Sequence, residues 1–321
     1  MNPAMTASGR PEVQKEKKKK NRYSTYSALL IMMVPGLLYL LINNYLPMFG
    51  IFIAFKKVNF AKGFFKSEWV GFDNFEYLFK TADAYIITRN TILYNLVFIV
   101  VGTVLAITCA ILLNEIKNKV ILRTYQAIIT MPHLISMVIV SYLVYAFLSA
   151  ESGFMNRAIL PLFGIEEGIS WYTEPKYWPF ILTFVHFWKS VGYSSIVYFA
   201  SLLGIDEEFY EAARIDGASR WKQITHITIP LMMPVIIMMT LLAVGRIFYS
   251  DFGLFYQVPL NSGPLFETTT TIDVYVFRGL AGSGDIGMST AAGVYQSIVG
   301  FILVLLANYL VRRYSKDHAL F

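Results

Sequence analysis

The chain has 321 residues, 56% of them hydrophobic and 15% charged, with a mean hydropathy of +0.52. That is too apolar for an ordinary soluble domain of this length and points to an integral membrane protein. The net charge of +6 is no nucleic-acid footprint, because much of the excess sits in KEKKKKNR, Lys15 to Arg22, directly before the first apolar run. A basic cluster there sets orientation and meets anionic lipid headgroups.

Spanning a hydrocarbon core takes about 20 mostly apolar residues. Six windows qualify, near 28–49, 91–113, 124–148, 178–203, 229–250 and 292–311. Nothing upstream of the first resembles a cleavable signal, so that run is expected to stay as a helix. The expectation is an all-α polytopic protein: a cytoplasmic tail over 1–26, one six-helix transmembrane domain over 27–312, and a second cytoplasmic tail over 313–321. With the N-terminus inside, the cytoplasmic segments hold 16 Lys and Arg and the outside segments 9, so both termini are placed in the cytoplasm. Lys56, Lys57, Lys62 and Lys66 in the first outside loop weaken that contrast.

Polar side chains inside the spans carry the next information, because ionisable groups in hydrocarbon face a partner or a wet cavity. Asn90 and Asn95, at the start of the second span, read as hydrogen-bond glue between helices. Cys109, the only cysteine, lies in an apolar run and excludes an intrachain disulfide. In the fourth span Lys189 shares a helical stripe with His186 and Tyr193 and neighbours Trp188. Arg246 and Tyr249 form a similar pair on the fifth span, and Asp251 lies at its outer end. These six residues, His186, Trp188, Lys189, Tyr193, Arg246 and Tyr249, are candidates for a substrate pathway. An interhelical salt bridge or a snorkelling side chain explains the cations equally well. His133, His186, His226 and His318 have no metal-ligand spacing, and no metal site is expected. Gly282 to Gly287 (GSGDIG) matches G-x-G-x-x-G without the βαβ context of a dinucleotide site and reads as a hinge loop.

Between the fourth and fifth spans runs EAARIDGASRWKQITHITIP, Glu211 to Pro230. Asp206 suits a helix N-cap, and Glu207 and Glu208 suit the positive end of the helix that follows. A short helix over about 207–216 is expected, then a turn at Gly217, then a second helix leading into Pro230. Ala212 and Ala213 offer a low-relief surface with Glu211, Arg214 and Asp216 as a polar rim, which suits docking as well as it suits a solvated loop helix.

This segment resembles the cytoplasmic signature of permease subunits in binding-protein-dependent ABC importers: EAA, three residues, Gly, nine residues, Ile-x-Leu-Pro. Here it reads Glu211, Ala212, Ala213, Gly217, Ile227, Ile229 and Pro230, with Ile229 in place of Leu. SGFMNRAIL followed by ISWYTEPKYWPF is similar to the outside loop before the fourth span in sugar-uptake members. The resemblance runs from about Ser27 to Arg312. It implies a type I ABC importer permease fold and a coupling helix over about 207–217 that seats in a partner ATPase. Glu211, Ala212, Ala213, Arg214, Asp216 and Gly217 become the docking segment, and Pro230 marks the return to the membrane. It further implies a second, related permease, two ATP-binding subunits that hold ATP and Mg, and an external solute-binding protein. The implied cargo is an oligosaccharide such as an alginate or pectin fragment. No G-x-x-x-x-G-K-[ST] occurs in the chain, so ATP is not expected on a P-loop of its own.

Two other classes compete. A polytopic membrane enzyme for lipid-linked sugars would enlist His186, Lys189 and Asp251, but no loop carries an acid–base constellation. An ion-coupled carrier would show carboxylates in its central spans, and there are none. An ABC permease for a non-sugar solute stays open beside the oligosaccharide reading, and no catalytic residue is expected.

Overall fold

The structure, a computed structural model, describes residues 22–283 and 285–314. The tail to Asn21, Gly284 of the G-x-G-x-x-G match, and the tail from Ser315 with His318 lie outside them. Residues to Gly50 form one unit and residues from Ile51 another. The first contains α1 (Arg22–Leu40), which continues through a wide turn at Leu41–Tyr45.

The second unit begins with an antiparallel pair, β1 (Lys56–Lys57) and β2 (Glu68–Trp69), a small departure from the all-α expectation. It continues with α2 (Asp73–Lys80), α3 (Ala82–Asn114), α4 (Lys119–Leu134), α5 (Met137–Leu148), α6 (Trp178–Leu202), α7 (Glu207–Ile215) and α8 (Arg220–Val244). The last two are α9 (Ile272–Arg278) and α10 (Ile286–Tyr314). Among the described residues four helices are long and apolar enough to cross a membrane: Leu29–Phe55, Ala82–Asn114, Arg220–Val244 and Ile286–Arg313.

Three expected spans differ from the sequence reading. The window 124–148 is two helices, α4 and α5, bent by 93° at the break between them. Pro132 removes an amide from the last turn of α4, Ile135 is extended, and Ser136 caps α5 by accepting from the Ile139 amide at 3.4 Å. The fifth span starts earlier and stops earlier than 229–250, ending at Val244. The fourth, α6, is a 25-residue helix as expected but is less apolar than the others, for reasons its neighbours make clear below.

Prolines shape the helices in a regular way. Among the described residues, wide i→i+5 turns at 41–45, 155–159, 224–228 and 253–257 each end two residues before a proline: Pro47, Pro161, Pro230 and Pro259. Proline has no amide and its ring crowds the carbonyl four residues back. Widening the preceding turn moves that carbonyl aside, and the residue before the proline bonds five back: Leu46 to Leu41, Leu160 to Met155, Ile229 to Ile224. The helix thus continues past Pro47, Pro161 and Pro230, whereas at Pro259 it ends in a turn with Leu260 and Asn261 at positive φ.

Two apolar clusters hold the second unit together. One joins Tyr94 and Phe98 of α3, Val140 of α5, Trp178, Leu182 and Val185 of α6, and Leu254, Phe255 and Val258. The other joins Ala106, Ala110 and Leu113 of α3, Tyr198, Phe199 and Leu202 of α6, and Met232 of α8. α4 lies on α6 so closely that a Cβ on Gly192 would fall 1.8 Å from the Ile129 carbonyl oxygen. Only glycine allows that approach.

Candidate functional site

The stretch from Asp206 to Pro230 forms helix, bend, helix. α7 ends in a Schellman turn: the Ala218 amide donates to the Ala213 carbonyl at 2.8 Å, the Gly217 amide to Arg214 at 3.1 Å, and Gly217 sits at φ +73°. Asp206 stands at the N-cap, but its carboxylate makes no capping bond. Ser219 caps the next helix instead, accepting from the Lys222 amide at 3.4 Å. Glu211, Ala212, Arg214, Asp216 and Gly217 are exposed, Ala213 partly so, and Pro230 lies in the first turn past the wide turn. Ile215 and Trp221, 86% and 72% exposed, flank the bend. Two large exposed apolar side chains beside a polar rim form a surface suited to a protein contact. Sequence reasoning passed over both.

The knob is tied to the spans. Arg220 pairs with Glu115 at the C-terminal end of α3 at 3.5 Å, and the Tyr210 hydroxyl lies 2.9 Å from Thr228 Oγ1. Gln223, buried, donates to the Ala218 carbonyl at 3.0 Å. The segment is thus linked to α8 by Tyr210 and to the end of α3 by an exposed ion pair.

Those helices, with α6, line an open cavity of about 520 Å³. His186, Ser190, Ser194 and Tyr198 line it from α6 at four-residue spacing, Asn95, Phe98 and Thr103 from α3, and Arg246, Tyr249 and Asp251 from beyond α8. Phe98 and His186 stack at 3.7 Å with their planes 5° apart. Asn95 donates to the Ile247 and Tyr249 carbonyls at 2.9 and 3.0 Å, closing the end of α8. Arg246 is exposed and its guanidinium makes no hydrogen bond or ion pair among the described residues, whereas Asp251 Oδ1 accepts from the Leu254 amide at 3.2 Å. The lining combines aromatic faces, hydroxyls, one amide, a guanidinium and a carboxylate. That set suits a polyhydroxylated ligand whose rings stack and whose acid groups pair.

The six pathway candidates divide. His186, Arg246 and Tyr249 line the cavity. Lys189 lies elsewhere: its ammonium donates to the carbonyls of Pro132 (3.2 Å), His133 (2.9 Å) and Ile135 at the end of α4. Tyr193 stacks on His133 at 4.3 Å, and Trp188 lines an apolar groove with Phe184 and Leu143. Lys189 thus supplies donors to the His133 and Ile135 carbonyls at the 93° break and a second donor to the Pro132 carbonyl, which already accepts from the Ile135 amide at 3.3 Å. Ser190, Ser194 and Tyr198 went unseen, although their spacing of four from His186 is the signal that finds them.

At the far end of α3, Asn90 donates to the Glu267 and Thr270 carbonyls, each at 2.9 Å, and Tyr94 to Thr268. Arg278 completes this end: it lies 3.6 Å over the Phe266 ring and donates to Asn261 Oδ1 and Thr270 Oγ1. Burial pushes its guanidinium down to about 10, which leaves it charged at neutral pH. Among the described residues no group of His, Cys, Asp and Glu is placed to hold a metal ion.

Residues 102–316 match the family described as binding-protein-dependent transport system inner membrane component. The chain is 36% identical over 290 residues to Protein LplB of Bacillus subtilis (strain 168), covering 90% of each chain. It is 34% identical over 289 residues to the polygalacturonan/rhamnogalacturonan transport system permease protein YteP of the same organism, covering 90% of this chain and 89% of that one. Among solved structures it resembles a bacterial alginate ABC transporter in complex with alginate pentasaccharide-bound periplasmic protein. The TM-score is 0.81 at 31% identity, over 91% of this chain and 96% of that one.

Proposed function

Because the chain belongs to the family of binding-protein-dependent transport system inner membrane components, we propose that it moves a uronate-containing oligosaccharide through the cavity between α3, α6 and α8. The chain is the membrane permease subunit of a sugar ABC importer, with a type I permease fold, and is a transport subunit and not an enzyme. The finer picture is our reading. Six spans over 27–312 have both termini in the cytoplasm, flanked by tails over 1–26 and 313–321. A second, related permease pairs with this one, two ATPases hold ATP and Mg, and an external solute-binding protein delivers the cargo.

One observation carries the mechanism: α3 and α8, which line the cavity, are joined at Glu115 and Arg220 by the segment that presents the exposed knob. An ATPase that grips Glu211, Ala212, Ala213 and the flanking Ile215 and Trp221 moves both helices as it closes on ATP. The cavity then opens alternately to the two sides. The Arg246 guanidinium, without a side-chain partner among the described residues, supplies the attraction for a carboxylate-bearing sugar. The names of the polygalacturonan and alginate relatives support an acidic cargo.

Uptake into cells of labelled oligogalacturonate and of a neutral oligosaccharide of equal length tests the cargo. Arg246→Met is expected to reduce acidic uptake about tenfold or more, as for loss of a charge-assisted pair, and to spare neutral uptake. Equal losses for the two sugars would remove Arg246 from the cargo site.

A further inference from the structure

Four lysines and one acid fall between residues 56 and 69, and the transport machinery described above uses none of them. In the β1–β2 pair Lys56 lies opposite Trp69 and Lys57 opposite Glu68. The loop between them satisfies its own backbone. The Asn59 carbonyl accepts from the Lys62 and Gly63 amides, its side chain accepts from Ala61, and the Ser67 hydroxyl donates to the Gly63 carbonyl while accepting from the Asn59 amide. Lys56 is buried, its ammonium donating to the Phe64 and Phe65 carbonyls at 3.3 and 2.7 Å. What remains for the surroundings is Phe60, Phe65 (84% exposed), Trp69 and Phe72, with the ammonium groups of Lys57, Lys62 and Lys66. Among the described residues none of these three lysines makes an ion pair, and neither does Glu68.

The hairpin is fixed at a definite height. Asn74, in the first turn of α2, donates to the Ala54 and Lys56 carbonyls at 2.7 and 3.1 Å, and α2 leads through Thr81 into α3. Phe79 meets Tyr295 of α10 edge-on at 5.3 Å, and a Cβ on Gly287 would fall 2.6 Å from the Lys56 carbonyl oxygen. The hairpin is therefore held against the first turn of α10 and, through α2, near the start of α3, at the end of α3 opposite Glu115. Aromatic rings with unpaired lysines at that height match the interfacial layer, where rings settle among headgroups and ammonium groups meet lipid phosphates.

We infer that residues 57–72 form an interfacial anchor that seats Phe60, Phe65 and Trp69 in the leaflet opposite the coupling knob and binds anionic lipid through Lys57, Lys62 and Lys66. The anchor holds the outer ends of α3 and α10 against the bilayer while their other ends move. It stands whether or not the cargo is acidic.

Spin labelling tests it, and the chain's one cysteine keeps the background simple. In a Cys109→Ser chain, purified with the subunits that accompany it and placed in nanodiscs, labels go on Phe65→Cys and, as a water-exposed reference, on Glu166→Cys. In phosphatidylglycerol the label at 65 is expected to collide with oxygen in preference to a soluble nickel chelate, with a ratio several-fold above that at 166. The preference should fall in phosphatidylcholine, and it should fall in phosphatidylglycerol when Lys57, Lys62 and Lys66 are all changed to Gln. Equal nickel access at 65 and 166 in phosphatidylglycerol would overturn the anchor. Shielding that appears only when the solute-binding protein is added would also overturn it, making this surface a protein dock.

Discussion

Lys189 shows how a charge in a membrane helix is satisfied chiefly by backbone carbonyls, with the Asp251 carboxylate as a more distant charged neighbour. Its three N–H donors meet three carbonyls at the negative end of α4, so no carboxylate from cargo or partner is required. Lys189→Met should strand the His133 and Ile135 carbonyls at about 1–3 kcal/mol each, while Pro132 keeps the Ile135 amide, lowering the melting temperature in detergent and reducing uptake of acidic and neutral sugars alike. Lys189→Arg, which keeps the donors, should recover most of the stability. Selective loss of acidic uptake in Lys189→Met would instead return this residue to the cargo path. The sequence made Lys189 and Arg246 look equivalent, as two cations in apolar windows. What separates them is the break at Ile135, which creates acceptors beside one and not the other. Pro132 and Ser136 were the visible marks of that break, hidden by an apolar pattern that runs through it.

Among the elements, the coupling segment was the most legible, because its signals are local. A glycine at the C-terminal end of a short Ala-rich helix specifies a left-handed turn from sequence alone, and φ +73° at Gly217 agrees. No atom lies within 4 Å of where a Cβ on Gly217 would stand, so a substitution meets only backbone strain. Gly217→Val should therefore cost about 1–2 kcal/mol locally and impair uptake and ATPase pull-down while membrane insertion persists. Gly217→Asn, whose side chain tolerates this conformation, should retain most of both. Equal behaviour of the two variants would show that the turn is not what the ATPase reads. The polar face of α6 was less legible. Two stripes lie on that helix, 186-190-194-198 facing the cavity and 189-192-193 facing α4, and only knowledge of the neighbours assigns each.

For the whole molecule, the function proposed above has one coupling segment engaging one ATPase, whereas closure on ATP brings two together. The intact complex should contain one copy of this 36.5 kDa chain, one related permease and two ATPase copies, as measured by native mass spectrometry. Two copies of this chain with no second permease would refute the heterodimer. The wide turn at Ile224–Thr228 has a bearing on how the assembled machine is aligned. Such a turn is an α-helix with one residue inserted, and one residue is about 100° of rotation about the axis. It fixes the compass bearing of Trp221 and the knob relative to Met239 and the cavity wall. In the proposed mechanism the angle at which force from the ATPase would enter the membrane is thus set by a single residue placed ahead of Pro230, and that angle is adjustable without lengthening any loop.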